Sequence, residues 1–345
     1  MAIVAALKKL VEGQHLDAAQ AEAAMRQIMT GEATPAQIGA YLVALRMKGE
    51  TVTEIAASAR VMRALAEPVA LPRERLIDIV GTGGDGASTF NVSTAASFVA
   101  AAAGARVAKH GNRSVSSKSG SADVLEAAGV DLGISPEQVA ECVQRLGVGF
   151  MFAPRHHGAM KHAVTPRREL GLRTMFNLLG PLTNPAQAPR QLLGVFDRRW
   201  LRPIAEVMRE LGSEHVLVVH ADDGLDEFSI AAATSVVELN AGTISEYSVE
   251  PEDFDLERGS LDALRVDNAS ESLTLVRQAL AGEPGPASAI VALNAGAALY
   301  VAGVVATISV GVRRAVEAME LGEATRRFDD FVAMTRSFNT HSRPP

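Results

Sequence analysis

Apolar and polar positions along the first seventy residues follow the spacing of short α-helices. Ile38, Leu42 and Leu45, for example, recur three or four residues apart, which places them on one helical face. The starts of three helices are marked by capping-box pairs, namely Asp17 with Gln20, Thr34 with Gln37 and Thr51 with Glu54. Residues 1–70 are therefore predicted to form four short helices that make up a small N-terminal helical domain.

From residue 72 onward the pattern changes to short apolar runs that alternate with helical segments. Residues 76–80 indicate a buried strand that ends in a glycine cluster, and an Ala-rich helix over 94–103 leads to a second strand over 105–108. This order of strand, loop, helix and strand is a βαβ unit. Later elements are predicted as strands at 148–152, 191–196 and 216–219, a hairpin at 236–239 and 244–247, and helices at 136–146 and 201–211.

These elements predict an α/β fold class. A small helical domain at 1–70 is followed by a larger α/β domain at 73–345, built around a central, mostly parallel sheet. The segment 160–179 is helical and basic, and we expect the region near 160–185 to pack on the first domain. Residues 284–312 contain no charged side chain, but large aliphatic residues are diluted by Ala and Gly, so we expect a helix packed inside the protein and not a membrane span.

Composition limits the function classes. The chain has 345 residues, with 33 Lys or Arg against 40 Asp or Glu for a net charge of −7, and only 4% of its residues are aromatic. Such a chain is not expected to bind nucleic acid. The single cysteine, Cys142, cannot form an intrachain disulfide, and the N-terminal residues lack the pattern of a signal peptide. We therefore expect a cytoplasmic protein that makes no contact with a membrane.

The first candidate for chemistry is the glycine-rich loop after the strand at 76–80. Its letters from Gly81 to Gly86, GTGGDG, match GxGxxG, but a dinucleotide-binding fold begins its helix within the glycines and has an acidic residue near the end of the next strand. Here the first N-cap candidates are Asn91 and Ser93, and the second strand ends at Lys109. Backbone amides, hydroxyls and a helix start instead favour a phosphate cradle. A Gly-rich turn with an ordinary N-cap is the alternative.

The second candidate is the loop over residues 109–121, which holds three cations, five serines and two glycines. No Asp or Glu occurs from Gly86 to Ala122. Hydroxyls, amides and Lys or Arg side chains at the carboxyl edge of a βαβ unit suit a polyphosphate, and a flexible Ser/Gly linker is the alternative. Walker, GxSxG, HExxH and CxxC patterns do not occur in the sequence, so nucleotide hydrolysis, serine hydrolysis and structural zinc lack their usual motifs.

Two further segments carry clusters of charge. In the turn after the strand at 216–219, Asp226 and Glu227 could bind Mg²⁺ jointly with ligand oxygens, and an ordinary surface turn is the alternative. The segment 155–168 holds three histidines and several basic residues, but no carboxylate or cysteine at metal-ligand spacing. We expect it to supply an arginine that binds a carboxylate, with a solvated helix face as the alternative.

In this order, the motifs resemble those of the anthranilate phosphoribosyltransferase family. The matching segments are GTGGD at 81–85, NVST at 91–94, KHGNR at 109–113, SS at 116–117, GSAD at 120–123, RRELG at 167–171, NLLGPL at 177–182 and DE at 226–227. The resemblance implies a phosphoribosyltransferase-like fold that also occurs in nucleoside phosphorylases. It further implies transfer of the 5-phosphoribosyl group from phosphoribosyl pyrophosphate (PRPP) to the amino group of anthranilate in tryptophan biosynthesis, and a homodimer joined through the helical domain.

The same resemblance implies roles for individual residues. Lys109 is expected to be catalytic. One or two Mg²⁺ ions are expected on Ser93, Asp226 and Glu227, and anthranilate is expected to contact Gly81, Asn112 and Arg167, the arginine through its carboxylate. The expected PRPP contacts are Gly81, Gly84, Asp85, Thr89, Asn91, Val92, Ser93, Thr94, Lys109, His110, Gly111, Asn112, Arg113, Ser114, Val115, Ser116, Ser117 and Ser121.

The implied reaction needs no strong general base, because an arylamine is neutral and nucleophilic at physiological pH. Loss of pyrophosphate passes through oxocarbenium-like charge separation, so the protein mainly has to stabilise the leaving polyanion and place the amine. We expect Mg²⁺, Lys109 and the glycine-loop amides to supply most of the rate. The alternatives are a pyrimidine nucleoside phosphorylase, which uses inorganic phosphate, and a PRPP-binding relative without catalysis.

Overall fold

The computed structural model of the protein describes residues 1–114 and 118–340. The first four helices are α1 (Ala2–Val11), α2 (Ala18–Met29), α3 (Pro35–Lys48) and α4 (Val52–Leu65). All three predicted capping boxes are formed, since the side chains of Asp17, Thr34 and Thr51 each accept a hydrogen bond from the backbone N–H three residues later. These local hydrogen bonds satisfy helix-end donors and fix where α2, α3 and α4 begin.

Within the described residues, seven strands form one sheet in the order β3-β2-β1-β4-β5-β6-β7. The first five pair in parallel, and the last two add an antiparallel hairpin. Their bounds are β1 (Leu76–Gly81), β2 (Arg106–Gly111), β3 (Val148–Phe152), β4 (Arg190–Gly194), β5 (His215–Ala221), β6 (Thr234–Asn240) and β7 (Thr243–Val249). The predicted mostly parallel sheet and its hairpin are therefore confirmed.

Helices cover both faces of the sheet. They are α5 (Val92–Ala102), α6 (Ser121–Ala127), α7 (Pro136–Leu146), α8 (Ala153–His156), α9 (Lys161–Leu170), α10 (Phe176–Leu179), α11 (Leu201–Glu210), α12 (Ala269–Leu280), α13 (Pro286–Val301), α14 (Ile308–Glu320) and α15 (Glu323–Thr340). The predicted helix over 160–179 is two shorter ones, because Gly171 ends α9 in the left-handed conformation.

The buried side chains form two clusters on opposite faces of the sheet. Along β5, Leu217 and Val219 belong to one cluster and Val216 and Val218 to the other, as expected for a strand buried on both faces. The second cluster also contains the N-terminal helices, α10 and α11, and α9 packs against α2 and α3. The helical region thus shares an apolar core with one face of the sheet.

The uncharged stretch 284–312 contains all of α13 and the start of α14, packed closely inside the protein. A Cβ on Gly296 would lie 2.4 Å from the backbone nitrogen of Val312, so the two helices approach at a distance that only glycine permits. The predicted internal packing is confirmed. Over residues 1–114 and 118–340, none of the helices has the length and apolar character required to traverse a bilayer.

Candidate active site at the switch point of the sheet

The candidate site lies at the edge of the sheet where the strand order reverses. β1 is flanked by β2 on one side and by β4 on the other, and open α/β sheets bind ligands outside the carboxyl ends of strands at such a switch point. The glycine loop follows β1, Lys109 lies in β2, and the turn with Asp226 and Glu227 follows β5. Three of the segments singled out by sequence therefore meet at this edge.

The glycine loop, residues 81–90, follows β1 and has several residues in backbone conformations that glycine adopts readily. Gly83, Gly84 and Gly86 have φ values of 66°, 78° and 78°, and even Ser88 has a φ of 53°. Other residues rarely take such left-handed conformations. Asp85 folds back within the loop and accepts a hydrogen bond from the Ala87 amide at 3.2 Å. The glycines are thus required by the backbone of the loop.

The far end of the glycine loop is fastened to a segment near residue 265, which sequence reasoning missed. The Phe90 amide donates to the Leu264 carbonyl at 2.9 Å, and the Val266 amide donates to the Ser88 carbonyl at 2.9 Å. Thr89 lies between them and forms an antiparallel bridge with Arg265. These are backbone contacts across a long sequence separation, so the side-chain pattern carries no signal for them.

The acidic turn packs directly on the ends of β1 and β4. A Cβ on Gly194 would lie 1.4 Å from the Asp226 carbonyl oxygen, and one on Gly81 would lie 2.4 Å from Asp226 Oδ2. Asp226 Oδ2 accepts a hydrogen bond from the Gly83 amide at 2.7 Å. Glycine at these strand ends therefore lets the carboxylate reach the backbone of the glycine loop.

A buried asparagine on α13 holds the same turn from behind. Asn294 Oδ1 accepts a hydrogen bond from the Phe228 amide at 3.0 Å, and Asn294 Nδ2 donates to the Phe228 carbonyl at 2.9 Å. A second donation from Nδ2 reaches the Ile290 carbonyl at 2.9 Å. The one amide side chain within the long uncharged stretch thus fixes the position of the acidic turn.

The two carboxylates are buried, and their surroundings fit a bound cation. Burial and the neighbouring Asp85 raise the pKa of Asp226 to about 7, and burial and Asp226 raise the pKa of Glu227 to about 8. Glu227 Oε2 is buried without a hydrogen-bond partner, while Oε1 accepts from the Ser93 amide at 3.2 Å. Oxygen ligands of this kind suit Mg²⁺.

The residues present do not form a complete metal cage by themselves. Across the described part of the chain, no three His, Cys, Asp or Glu side chains are grouped so that they could hold an ion. Mg²⁺ commonly uses one or two carboxylates and takes its remaining ligands from water and substrate phosphates. Asp226, Glu227 and the hydroxyl of Ser93 fit such a shared site.

Lys109 lies beneath the glycine loop with its ammonium group inside the protein. Only 3% of the residue is exposed, and its Nζ donates to the Ile79 carbonyl at 2.6 Å and to Ser93 Oγ at 3.2 Å. Burial lowers the pKa of Lys109, and the carboxylates of Asp78, Asp226 and Glu227 partly oppose that change. Lys109 therefore supplies positive charge in the middle of three acidic groups.

The start and end of the second loop are drawn together by one carboxylate. Asp123 Oδ2 accepts hydrogen bonds from the Ser114 and Gly120 amides, both at 2.9 Å, and a Cβ on Gly120 would lie 2.3 Å from the Ser114 nitrogen. The Asn112 carbonyl accepts from Ser121 Oγ at 3.3 Å. The loop is thus closed at its base. Three predicted contacts, Val115, Ser116 and Ser117, lie outside the described residues.

Arg113 is placed differently from the other basic residues of this loop. Its guanidinium pairs with Glu126, the Nη2–Oε1 distance being 3.0 Å, and lies 5.5 Å from the ring centroid of Phe152. The side chain is 46% exposed. In this conformation the charge of Arg113 is directed to Glu126, near the end of α6.

A buried cluster of histidines and one carboxylate underlies β2, and sequence reasoning placed only His110 near the site. The rings of His110 and His157 lie 5.0 Å apart, and the Nε2 atoms of both are buried without hydrogen-bond partners. Asp78 accepts hydrogen bonds from the His110 amide at 3.1 Å and from Asn184 Nδ2 at 2.7 Å. Burial raises the pKa of Asp78 to about 6.

Replacing His157 by Gln should remove an acid-sensitive part of the stability. Burial lowers the pKa of His157 to about 4, whereas an unfolded histidine titrates near 6.5. Between these values the unfolded state binds the proton and the folded state does not, so stability is lost as pH falls. Urea unfolding at several pH values should show the wild type losing up to about 3 kcal/mol relative to His157→Gln between pH 7 and 4. A pH-independent difference would contradict a neutral buried imidazole.

Arg167 of the segment after α8 was a candidate for the site, and the structure shows a second arginine, Arg173, in contact with the glycine loop. The Arg167 guanidinium lies 4.9 Å from the ring centroid of Phe176, and burial lowers the pKa of Arg167. Arg173 donates to the Gly84 carbonyl and lies 4.6 Å from the ring centroid of Phe196. Its own carbonyl accepts a hydrogen bond from Arg46 of α3. The glycine loop is thus linked to the helical region.

Comparison with known proteins agrees with this geometry. Residues 73–325 match the family model described as glycosyl transferase family, a/b domain, and residues 4–66 match the helical bundle domain of that family. An anthranilate phosphoribosyltransferase from Alkalilimnicola ehrlichii is 60% identical over 331 residues, which is 96% of this chain and 98% of that protein. The chain belongs to the anthranilate phosphoribosyltransferase family. The resemblance inferred from the motifs is confirmed.

Solved anthranilate phosphoribosyltransferases have the same fold. The enzyme from Thermus thermophilus is 47% identical with a TM-score of 0.91, over 96% of this chain and 99% of that one. The enzyme from Saccharomyces cerevisiae in complex with PRPP and Mg is 26% identical with a TM-score of 0.88, over 97% and 98% of the two chains. The predicted fold class, a small helical domain with a larger α/β domain, is confirmed.

Proposed function

We propose that the protein transfers the 5-phosphoribosyl group from PRPP to the amino group of anthranilate, releasing pyrophosphate, in tryptophan biosynthesis. The proposal is carried by the meeting of a glycine loop, a buried lysine and two buried carboxylates at the switch point of the sheet, in a chain of this family. Backbone amides, an ammonium group and a divalent cation are the groups that bind a diphosphate.

The residues from the glycine loop to the start of α5, together with the second loop, are proposed to hold PRPP. Mg²⁺ on Ser93, Asp226 and Glu227 would neutralise charge on the pyrophosphate group. Lys109 supports the same region, because its Nζ lies 3.2 Å from Ser93 Oγ. As the bond between the anomeric carbon and pyrophosphate breaks, Lys109 is proposed to stabilise the charge that develops on the leaving oxygen, and a bound Mg²⁺ would supply further positive charge there.

Anthranilate is proposed to bind between Gly81, Asn112 and Arg167. The guanidinium of Arg167 would pair with the carboxylate, which leaves the amino nitrogen to form the new bond to the anomeric carbon. The nitrogen loses its proton to solvent after the bond forms, so no protein base is required. The stacked, partly buried position of Arg167 on Phe176 supports a fixed orientation for this contact.

Arg167→Ala is expected to raise KM for anthranilate about tenfold or more, with a smaller effect on KM for PRPP. The reason is that a charge-assisted hydrogen bond to one substrate is lost, at a cost of about 1.5–3 kcal/mol. Steady-state kinetics with each substrate varied in turn measures the two constants. Arg168→Ala changes the adjacent, exposed arginine and should leave both nearly unchanged. A larger effect on PRPP than on anthranilate would refute the assignment.

The activity itself is tested by incubating the protein with anthranilate, PRPP and Mg²⁺. The fluorescence of anthranilate is expected to decrease, and unchanged fluorescence would reject the proposed function. A parallel incubation with a pyrimidine nucleoside and inorganic phosphate tests for a phosphorylase. Calorimetric binding of PRPP without turnover would identify a non-catalytic relative.

We also propose a homodimer joined through the helical region. Large apolar side chains are exposed there, and they include Met47 at 83%, Val11 at 74%, Leu172 at 51% and Val164 at 50%. Exposed apolar surface of this kind marks association sites, and sedimentation equilibrium would measure the mass of the assembly. A monomer at micromolar concentration would reject the proposed homodimer.

We further propose domain bounds of 1–70 and 73–345 and a cytoplasmic location.

A further inference from the structure

Asn91, at the N-cap position of α5, does not cap its own helix through its side chain. Its Oδ1 instead accepts hydrogen bonds from Ser119 Oγ at 2.9 Å and from Ser272 Oγ at 2.7 Å. Its Nδ2 donates to the Ser119 carbonyl at 3.2 Å, and its backbone amide donates to Ser272 Oγ at 3.1 Å. One side chain thus joins three segments that are far apart in sequence.

Ser272 is the member of this group that belongs to neither phosphate loop. It lies in the first turn of α12 with none of its surface exposed, and its hydroxyl both donates to Asn91 and accepts from it. α12 packs against α5 and α6, the two helices that follow the glycine loop and the second loop. Its serine is therefore placed to set the spacing between the two loops.

We propose that Ser272 is a positioning residue for PRPP binding, acting through Asn91 to hold the glycine loop and the second loop at a fixed separation. This inference rests on the proposed function, in which one PRPP molecule contacts both loops. A ligand that bridges two loops binds more tightly when the loops are already held in place, because less conformational entropy is lost when the ligand binds. Ser272 touches Asn91 and is assigned no contact with the substrate.

The first test is Ser272→Ala in the full-length protein. The dissociation constant of PRPP measured by calorimetry in the presence of Mg²⁺, and the KM for PRPP, should each rise about tenfold. The kcat and the KM for anthranilate should stay within about twofold. Thr274→Ala is the matched control on α12, since that exposed hydroxyl donates to the Ser270 carbonyl of its own helix, and it should behave as the wild type.

A double-mutant cycle with Asn91→Ala separates positioning from a general loss of packing. If Ser272 acts through Asn91, Ser272→Ala should weaken PRPP binding less in the Asn91→Ala background than in the wild type, where both the side chain and the backbone amide of Asn91 bond to Ser272 Oγ. An equal, additive loss in both backgrounds would overturn the inference. Ser272→Cys, which keeps the shape of the side chain with a larger atom and a weaker hydrogen-bonding group, serves as a second variant and should give an intermediate dissociation constant.

Hydrogen exchange of the ligand-free protein provides a readout that needs neither substrate. Peptides covering residues 88–95 and 118–122 should exchange faster in Ser272→Ala than in the wild type, because the link between the loops is broken. Unchanged exchange in both peptides would overturn the inference even if the enzyme is fully active. Faster exchange in a protein that does not consume anthranilate would reject the proposed function and leave the positioning role standing.

Discussion

A protein with both Asp226→Asn and Glu227→Gln is expected to lose about a thousandfold in kcat/KM for PRPP and yet to unfold at a higher temperature than the wild type at pH 8. The loss arises because the two amides retain the shape of the carboxylates but carry no charge for a cation. Initial rates measured over a range of Mg²⁺ concentrations, with thermal unfolding of both proteins, check the two halves of the prediction.

The gain in stability follows from the raised pKa values. The folded protein keeps the protons of Asp226 and Glu227 up to pH values of about 7 and 8, whereas unfolded carboxylic acids release them near pH 4. Folding of the wild type therefore becomes less favourable as pH rises through this window. The double variant does not lose stability in this way as pH rises. Without Mg²⁺, the difference in Tm between the double variant and the wild type should therefore be larger at pH 8 than at pH 5.

Asp222→Asn is the matched control for the double variant. This carboxylate lies in the same segment but is 53% exposed and pairs with Arg198 at the surface. Rate, Mg²⁺ dependence and Tm should stay close to those of the wild type. If the double variant kept the wild-type Mg²⁺ profile, the acidic turn would not be the metal site.

Lys109→Met should lower kcat at least a hundredfold and, unlike the change of the two carboxylates, should also lower Tm at pH 8. Methionine preserves much of the chain length and apolar volume, but it leaves Asp78, Asp226 and Glu227 without their buried positive neighbour. Removing one partner from a buried group of charges costs about 3 kcal/mol or more. Single-turnover kinetics and urea unfolding measure the two effects.

Two further measurements test why Lys109→Met destabilises the protein. They are the pH dependence of its stability and a mutant cycle with the two carboxylates. At pH 6 more of the neighbouring carboxyl groups hold protons, so the stability difference between Lys109→Met and the wild type should shrink. The loss of stability caused by Lys109→Met should also be smaller when the substitution is made in the double variant, Asp226→Asn with Glu227→Gln, than when it is made in the wild type. A loss of stability that is equal at pH 6 and pH 8 would indicate a packing defect instead.

Features set by neighbouring residues were accessible from sequence. The helix predicted at 136–146 has those bounds in the structure, because Ser135 and Gln138 form a capping box and Gly147 ends the helix in the left-handed conformation. The placement of Lys109, Asp226 and Glu227 near one edge of the sheet was accessible as well, because segments at the carboxyl ends of parallel strands meet at that edge. Their roles in catalysis and metal binding stay predictions. Here local pattern and tertiary structure agree.

Features that depend on tertiary partners were not accessible in the same way. α5 begins at Val92 and not at 94, and the side chain of Asn91 contacts Ser119 and Ser272 instead of the first turn of its own helix. Ser272 gives no signal in the sequence, because serine near a helix start is ordinary. Asp78 did leave a trace, as a lone carboxylate within an apolar strand, and its role required its partners to be seen.

The backbone contacts of residues 88–90 with 264–266 join two segments that are synthesised far apart in time. The glycine loop is made early in translation, but the strand-like partner that fastens its far end is made much later. A chain that ends before residue 264 lacks the backbone partners that hold residues 88–90. We therefore expect a chain truncated before residue 264 to bind PRPP more weakly than the complete chain, because the far end of the glycine loop is then not held in place.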